Sequence, residues 1–136
     1  MSQYTKSGVK TDYLREIEAA AIGMAREAGQ ILQCYFQKTL KVSYKDTGMR
    51  NPVTEADQDS QTFLKSAINR QFPSHGIVAE EDTGGDTSIA PDFLWIIDPL
   101  DGTTNFIRGL PIYACSIGQY KRRHGLRLSL EKTKWF

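Results

Sequence analysis

From residue 11 to about residue 37, the apolar residues Leu14, Ile17, Met24, Ile31 and Tyr35 recur at multiples of three and four. Ala20, Ala21, Ala25 and Ala28 fill the positions between them. This period predicts a long amphipathic helix, favoured at its start by Asp12 and Glu16, with its Met and aromatic positions in a core. Gly23 and Gly29 weaken its propensity but permit close packing. Alternation then replaces the helical period. Leu40, Val42 and Tyr44 predict a short strand entering a polar, mobile loop around Gly48. After Pro52 and Val53, Thr54 and Asp57 have the spacing of a capped helix start. Phe63, Leu64, Ala67 and Ile68 predict the buried face of this second helix up to Gln71, and Pro73 forbids its continuation. Further strands are predicted over 76–81, 93–98 and 112–118, with the polar loop DTGGDTSIAPD between the first two.

The remaining composition narrows this little. The 136 residues are enough for one domain with a modest core, and 40% hydrophobic with 24% charged residues is ordinary for a water-soluble fold. No apolar run approaches the ~18 residues that span a bilayer. The opening MSQYTKSGVKTDY has no apolar stretch of the kind a secretory leader needs. Cys34 and Cys115 are therefore expected to be reduced, buried as small hydrophobes, in a cytoplasmic protein. His75, in PSHG, is expected to be a solvated turn residue; His124 is given no role. The net charge of +1 conceals a split: residues 1–120 carry 11 basic against 15 acidic groups, whereas 121–136 carry 6 against 1. A basic tail on an acidic body is a pattern for nucleic-acid or membrane contact, or for sequence foreign to the fold.

Chemistry concentrates in FLWIIDPLDGTTNF (93–106), where an apolar strand runs into two carboxylates. Glu80, Asp98 and Asp101 all fall where a predicted strand ends. No Lys or Arg lies between Arg70 and Arg108, so these charges lack local partners, and a charge beside apolar residues is costly unless paired or bound to a cation. Oxygen ligands without a His–Cys set suit Mg²⁺ rather than zinc. Pro99 lets the chain bend so that Asp98 and Asp101 face one point, with the carbonyl of Leu100 between them. The competing reading has Asp101 as a helix cap and Asp98 capping a turn. Gly102, Thr103, Thr104 and Asn105 predict a short helix whose first N–H groups suit an anion. A carboxylate near a threonine hydroxyl would draw a proton from an attacking water through it, a role open to Asp57 with Thr103; Asp57 as an ordinary first-turn residue is the alternative.

The segments NPVTEADQDSQ (51–61), AEED (79–82) and WIIDPLDGTTNFIRGLPIYACSIG (95–118) resemble the inositol monophosphatase family, magnesium-dependent phosphomonoesterases inhibited by lithium. The likeness runs from roughly residue 11 to residue 118, and GTTNF favours the monophosphatases over bisphosphate nucleotidases. It implies an α+β fold, the N-terminal part of a layered α/β/α/β/α sandwich, with two long helices on a largely antiparallel sheet. It further implies that Glu80, Asp98, Asp101 and the Leu100 carbonyl hold Mg²⁺, two or three ions in the family. Glu80 and Thr103 would contact the attacking water, with Asp57 paired to Thr103. Asp101, Gly102 and Thr103 would receive the phosphate, and Lys45 would lie in a mobile loop reaching over the site. The implied substrates are myo-inositol monophosphates or similar small polyol phosphates. The implied assembly is a homodimer without membrane or nucleic-acid partners.

The sequence departs from that family in stopping early. The family's second half supplies a further metal-binding aspartate and most contacts to the sugar-like ring. Residues 1–120 are thus expected to be the body of the domain. Residues 121–136 are expected to be a basic tail of doubtful origin, from truncation or frameshift, and the chain as given to have little or no activity. The alternatives are a bisphosphate nucleotidase or fructose-bisphosphatase relative, or a non-catalytic binding protein whose tail touches RNA.

Overall fold

The computed structural model describes residues 11–82 and 91–121, and the backbone of two short strands beyond them. Helix α1 (Thr11–Tyr35) buries Ile17, Met24, Ala25, Ala28, Gly29 and Leu32. The stripe agrees with the predicted period, although Leu14 and Ile31 are only half-buried and the small residues take the closest positions. Strands β1 (Val42–Tyr44) and β2 (Pro52–Thr54) pair antiparallel as a hairpin. Helix α2 (Glu55–Gln71) starts directly from β2 and places Leu64, Ala67 and Ile68 against α1 and the sheet. Strand β2 has no alternating pattern of its own. Three residues ending in a helix cap are too few to show a period.

Strand β3 (Gly76–Ala79) lies parallel to β4 (Phe93–Asp101), and β4 lies antiparallel to β5 (Ala114–Lys121). The short helix α3 (Thr103–Ile107) connects β4 towards β5. Strands β6 (Leu126–Arg127) and β7 (Thr133–Lys134) both pair with β5. The expected division at residue 120 falls at the end of β5, and most of 121–136, His124 included, lies outside the described residues. So does most of the polar loop between β3 and β4.

Alternation in β4 turns Trp95 and Ile97 towards the helices, where both are buried, and leaves Ile96 half exposed on the other face. Each large side chain so buried contributes on the order of 1.5–3 kcal/mol of transfer free energy. No described helix is long and apolar enough to cross a membrane.

Two expectations fail here. Cys34 is exposed, because it lies two residues beyond buried Leu32 and therefore on nearly the opposite side of α1; Cys115 is buried as expected. His75 is not a solvated turn residue but is 7% exposed. The turn after α2 folds it inward, with its N–H donating to the Phe72 carbonyl at 3.0 Å. Its ring stacks between Phe72 and Phe93, Nδ1 accepts from Trp95 Nε1 at 2.9 Å, and Nε2 lies 2.8 Å from the Tyr13 hydroxyl. Since Nδ1 accepts, the neutral ring carries its proton on Nε2 and donates it to Tyr13. Burial holds the His75 pKa below its ordinary value.

Candidate functional site

Three pieces of chain meet in one pocket of about 210 Å³: the β1–β2 hairpin, the residue following β3, and the end of β4 with the start of α3. Glu80, Asp98, Leu100, Asp101, Gly102 and Thr103 line it together with Lys45. Asp57 stands behind them, fully buried.

Local rules account for each placement. Thr54 caps α2 in a complete capping box: Asp57 N–H donates to Thr54 Oγ1 at 3.4 Å, and Thr54 N–H donates back to Asp57 Oδ2 at 2.8 Å. The Thr54 hydroxyl also donates to Oδ2, at 2.6 Å. This fixes the carboxylate and leaves Oδ1 to accept from Thr103 Oγ1 at 3.0 Å, across 46 residues. Thr103 Oγ1 is also 3.1 Å from the Leu100 carbonyl. A hydroxyl has one hydrogen, and the carboxylate is the stronger acceptor. Spent on Asp57, that hydrogen leaves the Thr103 oxygen as an acceptor beside the pocket.

Strand β4 shifts register between Asp98 and Asp101, and the Ser60 hydroxyl on α2 pins the Pro99 carbonyl at 3.2 Å. Gly102 follows at φ +89, and a Cβ there would come within 2.8 Å of the Ile112 carbonyl. Only glycine makes this turn without strain. The chain's own backbone thus comes close to Gly102. Asn105 Nδ2 donates to the same carbonyl at 3.1 Å.

The electrostatics are those of an acidic floor. One oxygen of Asp98, Oδ1, is buried without a partner. Burial, then a hydrogen bond to Glu80, then the charges of Glu80 and Asp101 push the Asp98 pKa up to about 7. Burial, and secondarily Asp98, pushes the Cys115 thiol up to about 12. The salt-bridge partner that the sequence lacked locally comes from the hairpin. Lys45 Nζ stands 2.8 Å from Glu81 and 3.3 Å from Glu80. Burial works to lower the Lys45 pKa, but the hydrogen bonds and charges of Glu81 and Glu80 outweigh it and raise it. Glu81 is raised by burial against the opposing pull of Lys45. Sequence reasoning quoted Glu81 within AEED but gave it no role, and it passed over Arg50, which also lines the pocket. Nothing local marked either residue, since their significance lies in contacts across the fold.

Among the described residues, no three His, Cys, Asp or Glu side chains are assembled around one point as for a metal. The donor set nevertheless suits a hard divalent cation. It is all oxygen, it holds a partnerless buried carboxylate oxygen, and a lysine ammonium sits against one of its members.

A mixed sheet backed by two helices, with acids at the ends of adjacent strands beside a buried Asp57 that holds the Thr103 hydroxyl, defines an α+β class that gathers charge at one end of its sheet. The chain belongs to the inositol monophosphatase family, whose profile matches residues 13–128. It is 41% identical over 100 residues to inositol monophosphatase 3 of Solanum lycopersicum, which covers 72% of this chain and 37% of that protein. It is 38% identical over 109 residues to a fructose-1,6-bisphosphatase/inositol-1-monophosphatase of Aquifex aeolicus, covering 80% of this chain and 39% of that one. A Thermotoga maritima IMPase structure superposes with a TM-score of 0.69 at 34% identity, over 78% of this chain and 40% of that chain. The chain therefore spans about two fifths of the length of these relatives.

Proposed function

We propose that this chain carries the magnesium- and phosphate-binding part of a phosphomonoesterase acting on myo-inositol monophosphates or similar small polyol phosphates. The observation that carries the reading is the buried, partnerless Oδ1 of Asp98, in an acidic group with Glu80 and Asp101. Glu80, Asp98, the Leu100 carbonyl and Asp101 would hold Mg²⁺. Bound there, the ion supplies charge neutralisation and activates water. Asp57 turns the Thr103 hydroxyl so that its oxygen accepts a hydrogen from the attacking water. Glu80 takes part in orienting that water. As the water oxygen bonds to phosphorus, the ester P–O bond breaks; one water proton passes through the Thr103 hydroxyl to Asp57, and the leaving oxygen takes a proton from solvent to depart as the alcohol. The N–H groups of Gly102 and Thr103, with Asp101 beside them, are the proposed phosphate contacts. Lys45 reaches over the site from its hairpin.

The test is calorimetric titration of the full chain with Mg²⁺, then with inorganic phosphate in its presence. Saturable Mg²⁺ uptake, phosphate binding that requires it, and loss of both in an Asp98→Ala/Asp101→Ala variant are expected. Undiminished Mg²⁺ uptake by that variant would overturn the reading.

A further inference from the structure

Helix α2 makes three attachments from one face. Asp57 holds the Thr103 hydroxyl, Ser60 donates to the Pro99 carbonyl, and Gln61 reaches the turn that follows β3. Positions 57, 60 and 61 share a face because a helix brings residues three and four apart together. The first two act on the end of β4 and the start of α3. Gln61 acts on the end of β3, where Glu80 enters the pocket.

That turn leaves the sheet at Glu80. Glu80 N–H donates to the Ile97 carbonyl at 3.0 Å, and Asp82 N–H closes back on the Ala79 carbonyl at 3.1 Å. Between them, Glu81 N–H donates to Gln61 Oε1 at 3.2 Å. Gln61 Nε2 then donates to Asp82 Oδ1 at 3.1 Å. One amide thus grips the turn twice, accepting from its backbone and donating to its carboxylate. Lys65 Nζ also stands 3.0 Å from Asp82 Oδ2, but an ion pair with each partner about a third exposed contributes little by itself. Depriving a half-buried backbone N–H of its acceptor costs more. Glu81 is therefore a peg: Gln61 holds its backbone, Lys45 holds its buried carboxylate, and Glu80 stands beside it.

Resting on the function proposed above, we propose that Gln61 is a positioning residue for metal binding, whose amide sets Glu80 in register with Asp98 and Asp101 on the neighbouring strand. Gln61 itself does not line the pocket; it acts through the backbone of Glu81. Both ends of the amide are needed. A carboxylate of the same size would accept from Glu81 but meet Asp82 with like charge, and a thioether would satisfy neither.

The test is calorimetric Mg²⁺ titration of the full chain, with hydrogen exchange at the Glu81 amide followed by NMR. Gln61→Met is expected to weaken Mg²⁺ affinity about tenfold, the low end of what outer partners of metal ligands are worth, and to speed exchange at Glu81. Gln61→Glu should bind Mg²⁺ about threefold more weakly than wild type, for one lost hydrogen bond, although its added charge alone would tighten cation binding. Gln61→Glu/Asp82→Asn restores donor and acceptor in the opposite sense at unchanged net charge. It should return Mg²⁺ affinity to within about twofold of wild type. Circular dichroism melting in EDTA reads stability separately. A lower melting temperature with wild-type Mg²⁺ affinity in Gln61→Met would make Gln61 merely structural and overturn the inference alone. So would Gln61→Glu binding tighter than wild type, or a double variant no better than Gln61→Glu. If Gln61→Met does not fold, the comparison of Gln61→Glu with the double variant decides. If wild type takes up no Mg²⁺, the proposed function fails and the inference falls with it.

Discussion

Replacing Asp98 with Asn should make the metal-free chain more stable and at the same time deprive it of its response to magnesium. Asp98 is a group that the fold holds uncomfortably: one oxygen is partnerless and buried, and its pKa is raised from 3.8 to about 7 by burial, Glu80 and Asp101. A shift of about three units at roughly 1.36 kcal/mol each sets a ceiling of about 4 kcal/mol. Asp98 is only half-buried, and solvent screens its neighbours, so about 1–2 kcal/mol is the realistic penalty at pH 7.5. Because the folded-state pKa lies above the unfolded one, the folded chain binds more protons between roughly pH 4 and pH 7. The Asp98 contribution therefore falls as pH rises through that window. Asparagine resembles the protonated acid and can still donate to Glu80. In EDTA at pH 7.5, Asp98→Asn is expected to melt roughly 3–8 °C above wild type. The advantage should shrink below pH 7 and vanish near pH 4. With Mg²⁺ at tenfold its dissociation constant, wild type regains about 1.4 kcal/mol and the variant gains nothing. Differential scanning fluorimetry across pH, with and without Mg²⁺, reads all of this. A variant no more stable than wild type in EDTA at pH 7.5 would refute the reasoning, because Asp98 would then carry no uncompensated charge.

Three further outcomes are expected. The His75 pKa is depressed in the fold by burial, so the unfolded chain takes up the proton first, and this contribution to stability is lost as pH falls below about 6.5. The melting difference between wild type and His75→Gln isolates it from the opposite slope of Asp98, and a difference constant from pH 7.5 to 5 would refute the buried Tyr13–His75–Trp95 chain. Thr54→Ala should cost about 1–2 kcal/mol in urea unfolding, because the side-chain half of the capping box and the hydroxyl donor to Asp57 are lost while the Thr54 backbone N–H is kept, whereas Thr54→Ser should stay close to wild type. Cys34 should react promptly with a disulfide reagent, while Cys115, buried and with its thiol pushed up to about 12, should react only on unfolding; prompt reaction of both would contradict the packing of β5.

How much of this the sequence disclosed depends on how far each interaction reaches along the chain. The two long helices were legible because an apolar face repeats within a few residues, and the α2 cap because Thr54 and Asp57 are three apart. Strand ends were less so. Strand β4 runs to Asp101 through a register shift, and β5 starts at Ala114 rather than at exposed Ile112, since pairing partners rather than hydrophobicity set those limits. His75 was misread for the same reason, as Tyr13 and Trp95 lie 62 and 20 residues away. The acids of the site stood out in the sequence because the stretch around them holds no cation. What the sequence left open was where the compensating charge comes from. It comes from the hairpin, which sets Lys45 against Glu80 and Glu81. The hairpin therefore supplies what only tertiary structure reveals, a cation that steadies the acids across 35 residues of chain. An acid that the fold stabilised fully would have little affinity left for a cation, so the discomfort of Asp98 is the property on which the proposed metal binding would draw.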